Sequence, residues 1–200
     1  MPVIISADEI KKQLPNYSPD KAESFHRQSA KMADRLFTRA LKENPHKEVI
    51  LLSGGTASGK TEFLSTQLNH KKCIIFDATL STEEGAKIKL KQIYKASKRL
   101  VIYAIIPDDL KRAFIAFLNR DRKFSDAHFY KTHSGSRKVL LWVALKYPTL
   151  EINIVESSYT RTHTLQFLRV EFDNKQKTID YLRKIQVTES DIISHITSQL

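Results

Sequence analysis

Two hydrophobic periods alternate along this chain, and their order predicts its elements. Asp20 to Glu43 carries Ala22, Phe25, Ala33, Leu36, Phe37, Ala40 and Leu41 at helical spacing, with Pro19 and Asp20 suited to the start and Asn44-Pro45 to the stop. Glu48 to Ser53 reads as a buried strand, and Thr61 to Leu68 as a helix. Lys72 to Phe76 is a second strand, ending at Asp77. Ser81-x-x-Glu84 has the form of a capping box that opens a helix to Lys98. Ala86, Leu90, Ile93 and Tyr94 would face inward from it, and Lys87, Lys91, Lys95 and Lys98 outward into water. Leu100 to Ile106 is a third strand. Pro107 then suits the first position of a helix with Asp108 and Asp109 in its positive first turn and Leu110, Phe114, Phe117 and Leu118 inward. Ser125 to Lys146 is helical again, with a break near Ser134-Gly135-Ser136, and Leu150 to Val155 is a fourth strand. Further on, Leu168, Val170 and Phe172 alternate with Arg169 and Glu171 like a half-exposed strand, Asp173-Asn174-Lys175 marks a turn, and Thr188 to Leu200 has the look of a terminal helix.

The first strand runs into Gly54-x-x-x-x-Gly59-Lys60-Thr61, the pattern of a phosphate-binding loop. Chance supplies this pattern in only ~1% of chains of this length, given ordinary residue frequencies. Gly54, Gly55 and Gly59 let the backbone curl with N–H groups turned inward around Thr56, Ala57 and Ser58. The helix that follows adds its positive end, which begins at Lys60, Thr61 and Glu62. Lys60 places a compact charge between the terminal phosphates, and Thr61 offers a hydroxyl to Mg²⁺. Strands alternating with helices around such a loop predict an α/β protein, a P-loop NTPase/kinase three-layer fold with a mainly parallel sheet and an N-terminal helical extension. The 200 residues suit one domain: an extension over 1–45, a nucleotide-binding core over 46–156 with a lid near 119–137, and a C-terminal segment over 157–200.

Composition narrows this little. A 41% hydrophobic content is ordinary for a soluble protein, and no apolar run approaches the ~18 residues of a membrane span. Met1 to Leu14 mixes Asp8, Glu9, Lys11 and Lys12 into its apolar residues, unlike a secretory signal. Cys73, the single cysteine, lies beside Ile74 and Ile75, where a buried inert thiol is expected, and a cytoplasmic protein is the simplest reading. Thirty-three Lys and Arg against 22 Asp and Glu give a net charge of +11, which attracts nucleic acid, acidic surfaces or phosphorylated ligands without choosing among them.

The chemistry beyond phosphate binding rests on two groups. Asp77 ends a parallel strand, at the sheet edge where ligands of such folds bind, so its carboxylate can take the proton of an attacking hydroxyl and share in the metal shell. Arg120 and Arg122, with Lys123 and the more distant Arg137, can neutralise charge on a moving phosphoryl group, although a cationic helix end would use the same residues. The seven histidines show no metal-binding spacing, with His128 and His133 five apart, and Trp142 sits among Val139, Leu140, Leu141 and Val143 as a core residue would.

These residues together resemble the zeta-toxin family of P-loop kinases. The likeness rests on Leu14-Pro15-Asn16-Tyr17, on Ser29-Ala30, on Ser53 to Phe63, on Phe76-Asp77-Ala78-Thr79-Leu80, and on Asn119 to Lys123 followed by Phe129 to Arg137. It implies ATP- and Mg²⁺-dependent phosphorylation of a hydroxyl on UDP-N-acetylglucosamine, and an antitoxin protein that covers the nucleotide site. It also implies Lys60 and Thr61 as loop ligands, Asp77 as the base, and Arg120 or Arg122 as lid arginines. Two other readings fit the same residues. A polynucleotide or nucleoside 5′-hydroxyl kinase would use the same loop and aspartate with a basic surface, and a non-catalytic nucleotide-responsive module would need the loop alone.

Overall fold

The apolar runs that read as strands are continuous because both faces of each strand are covered. In the computed structural model, which describes residues 1–160 and 164–198, six strands form one sheet: Val3–Ser6 (β1), Glu48–Ser53 (β2), Ile74–Asp77 (β3), Arg99–Pro107 (β4), Glu151–Tyr159 (β5) and Leu165–Val170 (β6). Their order is β1-β3-β2-β4-β5-β6, parallel throughout except for the antiparallel β5–β6 pair. The helices are Ala7–Lys12 (α1), His26–Glu43 (α2), Lys60–Phe63 (α3), Glu83–Lys95 (α4), Leu110–Leu118 (α5), Asp126–Lys146 (α6), Lys175–Lys184 (α7) and Glu189–Thr197 (α8). A π turn over Leu64–Leu68 continues α3. The protein is therefore α/β, with a mainly parallel central sheet.

Successive strand residues point to opposite faces, and this sorts the core into layers. Val49, Leu51, Phe76 and Ile102 meet Phe37 of α2, Leu90 of α4 and Val143 of α6. Ile50, Leu52, Ile75 and Ile105 meet Phe63, Leu64 and Leu68 on the other side. A third cluster of Phe114, Phe117, Phe129 and Ile192 gathers α5, α6 and α8 around Ala57. Cys73 is buried as expected, and burial pushes its thiol up to about 11. Among the described residues no helix is long and apolar enough to cross a membrane.

Several predicted boundaries move, each for a local reason. The long helix begins at His26, and Pro19–Lys21 is only a 3₁₀ turn. The Pro19 carbonyl accepts the Ala22 N–H at 3.2 Å, the shorter 3₁₀ bond, and also the N–H of Lys123 at 2.9 Å, in place of a helical bond from Glu23. Thr82 rather than Ser81 caps α4, accepting the Gly85 N–H at 3.2 Å. That helix ends at Lys95, short of Lys98, whose ammonium donates to the carbonyls of Asn44 and His46. Tyr94 is half exposed and lies against Tyr147. Pro107 closes β4, and Asp109 caps α5 by accepting the N–H groups of Lys111 and Arg112. Leu118 stays half exposed while Phe114 and Phe117 turn inward.

Helix α6 is unbroken across Ser134-Gly135-Ser136. A Cβ at Gly135 would lie 2.4 Å from the Ser81 carbonyl oxygen, so this glycine permits a close helix–loop approach. In β6 Val170 is partly buried against the main core as the alternation predicts, whereas Leu165 and Phe167, of the opposite phase, are partly buried too. Phe167 packs on Phe63 with ring centroids 5.3 Å apart, while Leu168 is 65% exposed. Phe172 lies beyond the strand, against Tyr181. Asn174 does end the preceding segment, by capping α7 through the Lys177 N–H, a helix the periodicity did not show. Thr188 and Asp191 form the capping box of α8, and the predicted end of that helix at Leu200 lies outside the described residues. Trp142 is partly buried against the main core, with its ring under the Lys87 ammonium.

Candidate functional site

β2 delivers the chain at Ser53 into the loop, and the loop must then reverse within a few residues to start α3. Two glycines take the backbone where other residues would strain: Gly54 has φ 143° and Gly59 φ 87°. Ala57, at φ 59°, enters the left-handed region without being glycine. What holds it there is a set of side chains behind the loop. The carbonyl of Thr56 accepts from His133 Nε2 at 2.8 Å, that of Ala57 from the Tyr159 hydroxyl at 2.9 Å, and that of Ser58 from the Ser157 hydroxyl at 2.8 Å. Because a trans peptide points its N–H opposite its C=O, anchoring these carbonyls behind the loop turns the N–H groups of Ala57 and Gly59 the other way.

Lys60 folds back over the loop, its Nζ donating to the carbonyls of Gly54 and Gly55 at 2.9 Å each. Burial lowers its pKa from the ordinary lysine value, and the nearby Asp77 carboxylate opposes that shift. Together with Thr56, Ala57, Ser58 and Thr61, Lys60 lines a cleft of about 310 Å³ that also holds Asp77, Arg120 and Arg122. Gly54, Gly55, Gly59 and Glu62 shape the loop and its helix without contributing to the cleft wall, and Glu62 is exposed.

Asp77 stands at the carboxyl end of β3, in register with Leu52 of β2. Ser6 at the end of β1 donates to its Oδ2 at 3.2 Å, while Oδ1 is buried without a partner. Burial raises the carboxyl pKa, and Lys60 pulls it down again. Asp77, with an orphaned carboxylate oxygen, and Thr61 both line the cleft and carry the hard oxygen donors that Mg²⁺ takes, so the residues fit the expected ion.

The arginines divide. Arg120 donates to the Thr56 hydroxyl at 3.1 Å, directly over the loop. Arg122 pairs with Asp8 of α1 at 2.5 Å, and Asp8 also binds Lys11 at 3.2 Å. Burial tends to raise the Asp8 pKa, but Arg122 and Lys11 outweigh it and hold the carboxyl at about 2. Lys123 is exposed, with its ammonium on the Leu118 carbonyl, the helix-end role open to it from the sequence. Arg137 lies outside the lid entirely: it is buried within α6 and bonded to His133.

Ala30, Phe76, Ala78, Thr79 and Leu80, all within the segments that carry the family resemblance, also line the cleft, whereas Ser6, Asp8, His26, Lys89, Phe124 and His128 were not read as site residues. Ser6 and Asp8 come from the segment before the long helix, where Val3 and Ile5 followed by Ala7, Ile10 and the i,i+3 charges of Asp8 and Lys11 were the available signal. His26, Phe124 and His128 pack their rings together, with Phe124 and His128 stacked at 4.5 Å, and burial lowers the pKa of His128 to about 4. Lys89 is buried under the Phe76 ring and paired with Asp34 at 2.5 Å.

No protein-family model and no curated protein sequence matches this chain. Solved structures resemble it at 12% identity. The native AvrRxo1-ORF1:-ORF2 complex aligns with a TM-score of 0.50 over 78% of this chain and 72% of that one. The AvrRxo1-ORF1:AvrRxo1-ORF2 complex with sulphate ions gives 0.49 over 86% and 89%. The complex with ATP gives 0.47 over the same shares, 86% and 89%. At that identity the likeness is one of fold, and the native complex shares the α/β architecture described above.

Proposed function

We propose that this chain is an ATP-dependent phosphotransferase acting on a hydroxyl of a small acceptor. One observation carries the reading: Asp77, with an unpartnered carboxylate oxygen, lines the same cleft as the phosphate-loop lysine Lys60. The loop amides and Lys60 bind the triphosphate tail. Thr61 and Asp77 would hold Mg²⁺, which supplies charge neutralisation at the phosphate oxygens. Asp77 accepts the proton of the acceptor hydroxyl as its oxygen bonds to the γ-phosphorus and the bond to the ADP oxygen breaks. Burial of Asp77 makes it a stronger base than a solvated aspartate. Arg120, already over the loop, stabilises charge on the phosphoryl group in flight.

The zeta-toxin resemblance makes UDP-N-acetylglucosamine the first acceptor to try and a small antitoxin-like protein the first partner to seek. The test is incubation with ATP, Mg²⁺ and a panel of nucleotide-sugars, reading acceptor-dependent ADP release and a phosphorylated product. Nucleotide binding without such release would reduce the protein to a nucleotide-responsive module.

A second acceptor class is favoured by one feature of α2. Exposed Arg27, Lys31 and Arg35 continue outward from the cleft-wall residues His26, Ala30 and Asp34. A single-stranded oligonucleotide lying along them would present its end to Asp77. Oligonucleotide affinity that falls steeply with salt would support this acceptor, and salt-independent protection by a UDP-sugar would support the first.

A further inference from the structure

Thr56 is where three parts of the molecule meet. Its N–H donates to the Thr132 hydroxyl at 3.1 Å, its carbonyl accepts from His133, and its own hydroxyl accepts from Arg120. Two of those partners are neighbours on α6, and both are buried. The loop presses against them closely enough that a Cβ at Gly55 would lie 2.4 Å from the His133 ring.

Behind His133 stands Arg137, one helical turn on. Its Nη1 donates to His133 Nδ1 at 3.2 Å and to the His133 carbonyl at 3.1 Å. A guanidinium is donor-only, so Nδ1 must be the acceptor and the proton of the neutral ring must sit on Nε2. That is the nitrogen facing the Thr56 carbonyl. Arg137 is 5% exposed and makes no ion pair with a carboxylate among the described residues. Keeping an uncompensated guanidinium inside a protein is costly, and a simple packing role would be met by an apolar side chain.

We infer that His133 and Arg137 are positioning residues for the phosphate loop: Arg137 fixes the Nε2–H tautomer of His133, and His133 then holds the Thr56 peptide so that the following N–H faces the anion. The pair also leaves a positive charge on the back of the loop, which favours a polyphosphate in front. This inference rests on the phosphate-binding reading of residues 54–61. Neither residue touches the ligand; both act through the Thr56 peptide.

The experiment compares wild type, His133→Gln, His133→Phe and Arg137→Met by calorimetry with ATP and Mg²⁺, with thermal melts to establish folding. Long-range ¹⁵N–¹H spectra of the imidazoles report the tautomer. Losing a hydrogen bond of this kind reduces affinity about tenfold, which is the expected result for His133→Phe and Arg137→Met. His133→Gln keeps an N–H donor near the Nε2 position and should stay within about threefold of wild type. The His133 spectrum should show Nε2–H in wild type and a mixture in Arg137→Met. Equal binding by wild type and His133→Phe, equal loss in Gln and Phe, or an Nδ1–H ring in wild type would overturn the inference. If His133→Phe fails to fold, Arg137→Met and the spectrum decide alone. Absence of ATP binding by wild type would instead overturn the nucleotide reading, and the inference with it.

Discussion

The phosphate loop and the lid are both short connecting segments on one cleft, yet they are held in opposite ways. The loop is gripped from behind by His133, Tyr159 and Ser157, all inside the protein or at its margin. The lid segment, residues 119–125, meets the loop through Arg120 on the Thr56 hydroxyl and is otherwise tied mostly by groups in or near water: Ser125 to Glu23, Lys123 to the Pro19 and Leu118 carbonyls, Arg122 to Asp8. A hydrogen bond shielded from water stabilises more than one that competes with it. The loop is thus held mainly by shielded bonds, and the segment over it mainly by bonds that compete with water.

The largest expected effect concerns what the loop and lid enclose. Asp77→Asn removes the proton acceptor, so turnover should fall about 10²–10⁴-fold in the coupled ADP-release assay while the melt stays intact. Full turnover in that variant would remove Asp77 from the chemistry. Next comes the shielded side of the comparison. Gly55→Ala drives a methyl into the His133 ring, and urea unfolding should show a loss of about 1–3 kcal/mol together with weaker ATP binding. Tyr159→Phe deletes only the hydroxyl on the Ala57 carbonyl and should cost about 1 kcal/mol.

The lid side should respond less. Asp8 has a folded pKa of about 2, below the ordinary aspartate value of 3.8, so its pairing stabilises the protein above the higher value and is lost as pH falls towards the lower one. Its side chain is 39% exposed, which screens the pair with Arg122, but its other partner Lys11 is buried, so Asp8→Asn should cost about 1–2 kcal/mol, most of it through α1 rather than the lid. The difference from wild type in an acid titration should be flat near neutrality and vanish around pH 2. A difference that grew on acidification would contradict the pairing. Ser125→Ala, which loses an exposed bond to Glu23, should change stability by no more than about 0.5 kcal/mol. Were it to match Tyr159→Phe, the contrast between loop and lid would fail.

What the sequence made legible follows the same division. The motif and Asp77 are local: glycines at fixed spacing after an apolar run, and an acid at the end of a strand. β2 therefore appears over the residues expected, Glu48–Ser53. The braces of the loop are not local. His133 is 77 positions from Thr56 and Tyr159 is 102 from Ala57, and no periodicity connects such pairs. β1 escaped because its four residues, Val3–Ser6, run straight into the charged Asp8, Glu9, Lys11 and Lys12 of α1, with no turn signal between them to set off a strand. Gly135 misled because a glycine that admits a neighbouring backbone looks, in sequence, like one that breaks a helix. Arg137 read as a lid cation because charge suggests surface, whereas its nearest partner is a buried imidazole.

The β5–β6 hairpin bears on how the protein can be cut or borrowed from. Ser157 and Tyr159 lie in its first strand, and Leu165 of its second would sit 2.9 Å from a methyl at Gly59. A fragment ending just before Ser157 would retain every residue of the nucleotide signature, yet two of the clamps on that signature would be gone. Grafting Gly54–Thr61 into a foreign scaffold would meet the same obstacle, because the curl belongs to the host that grips it and only the lettering travels.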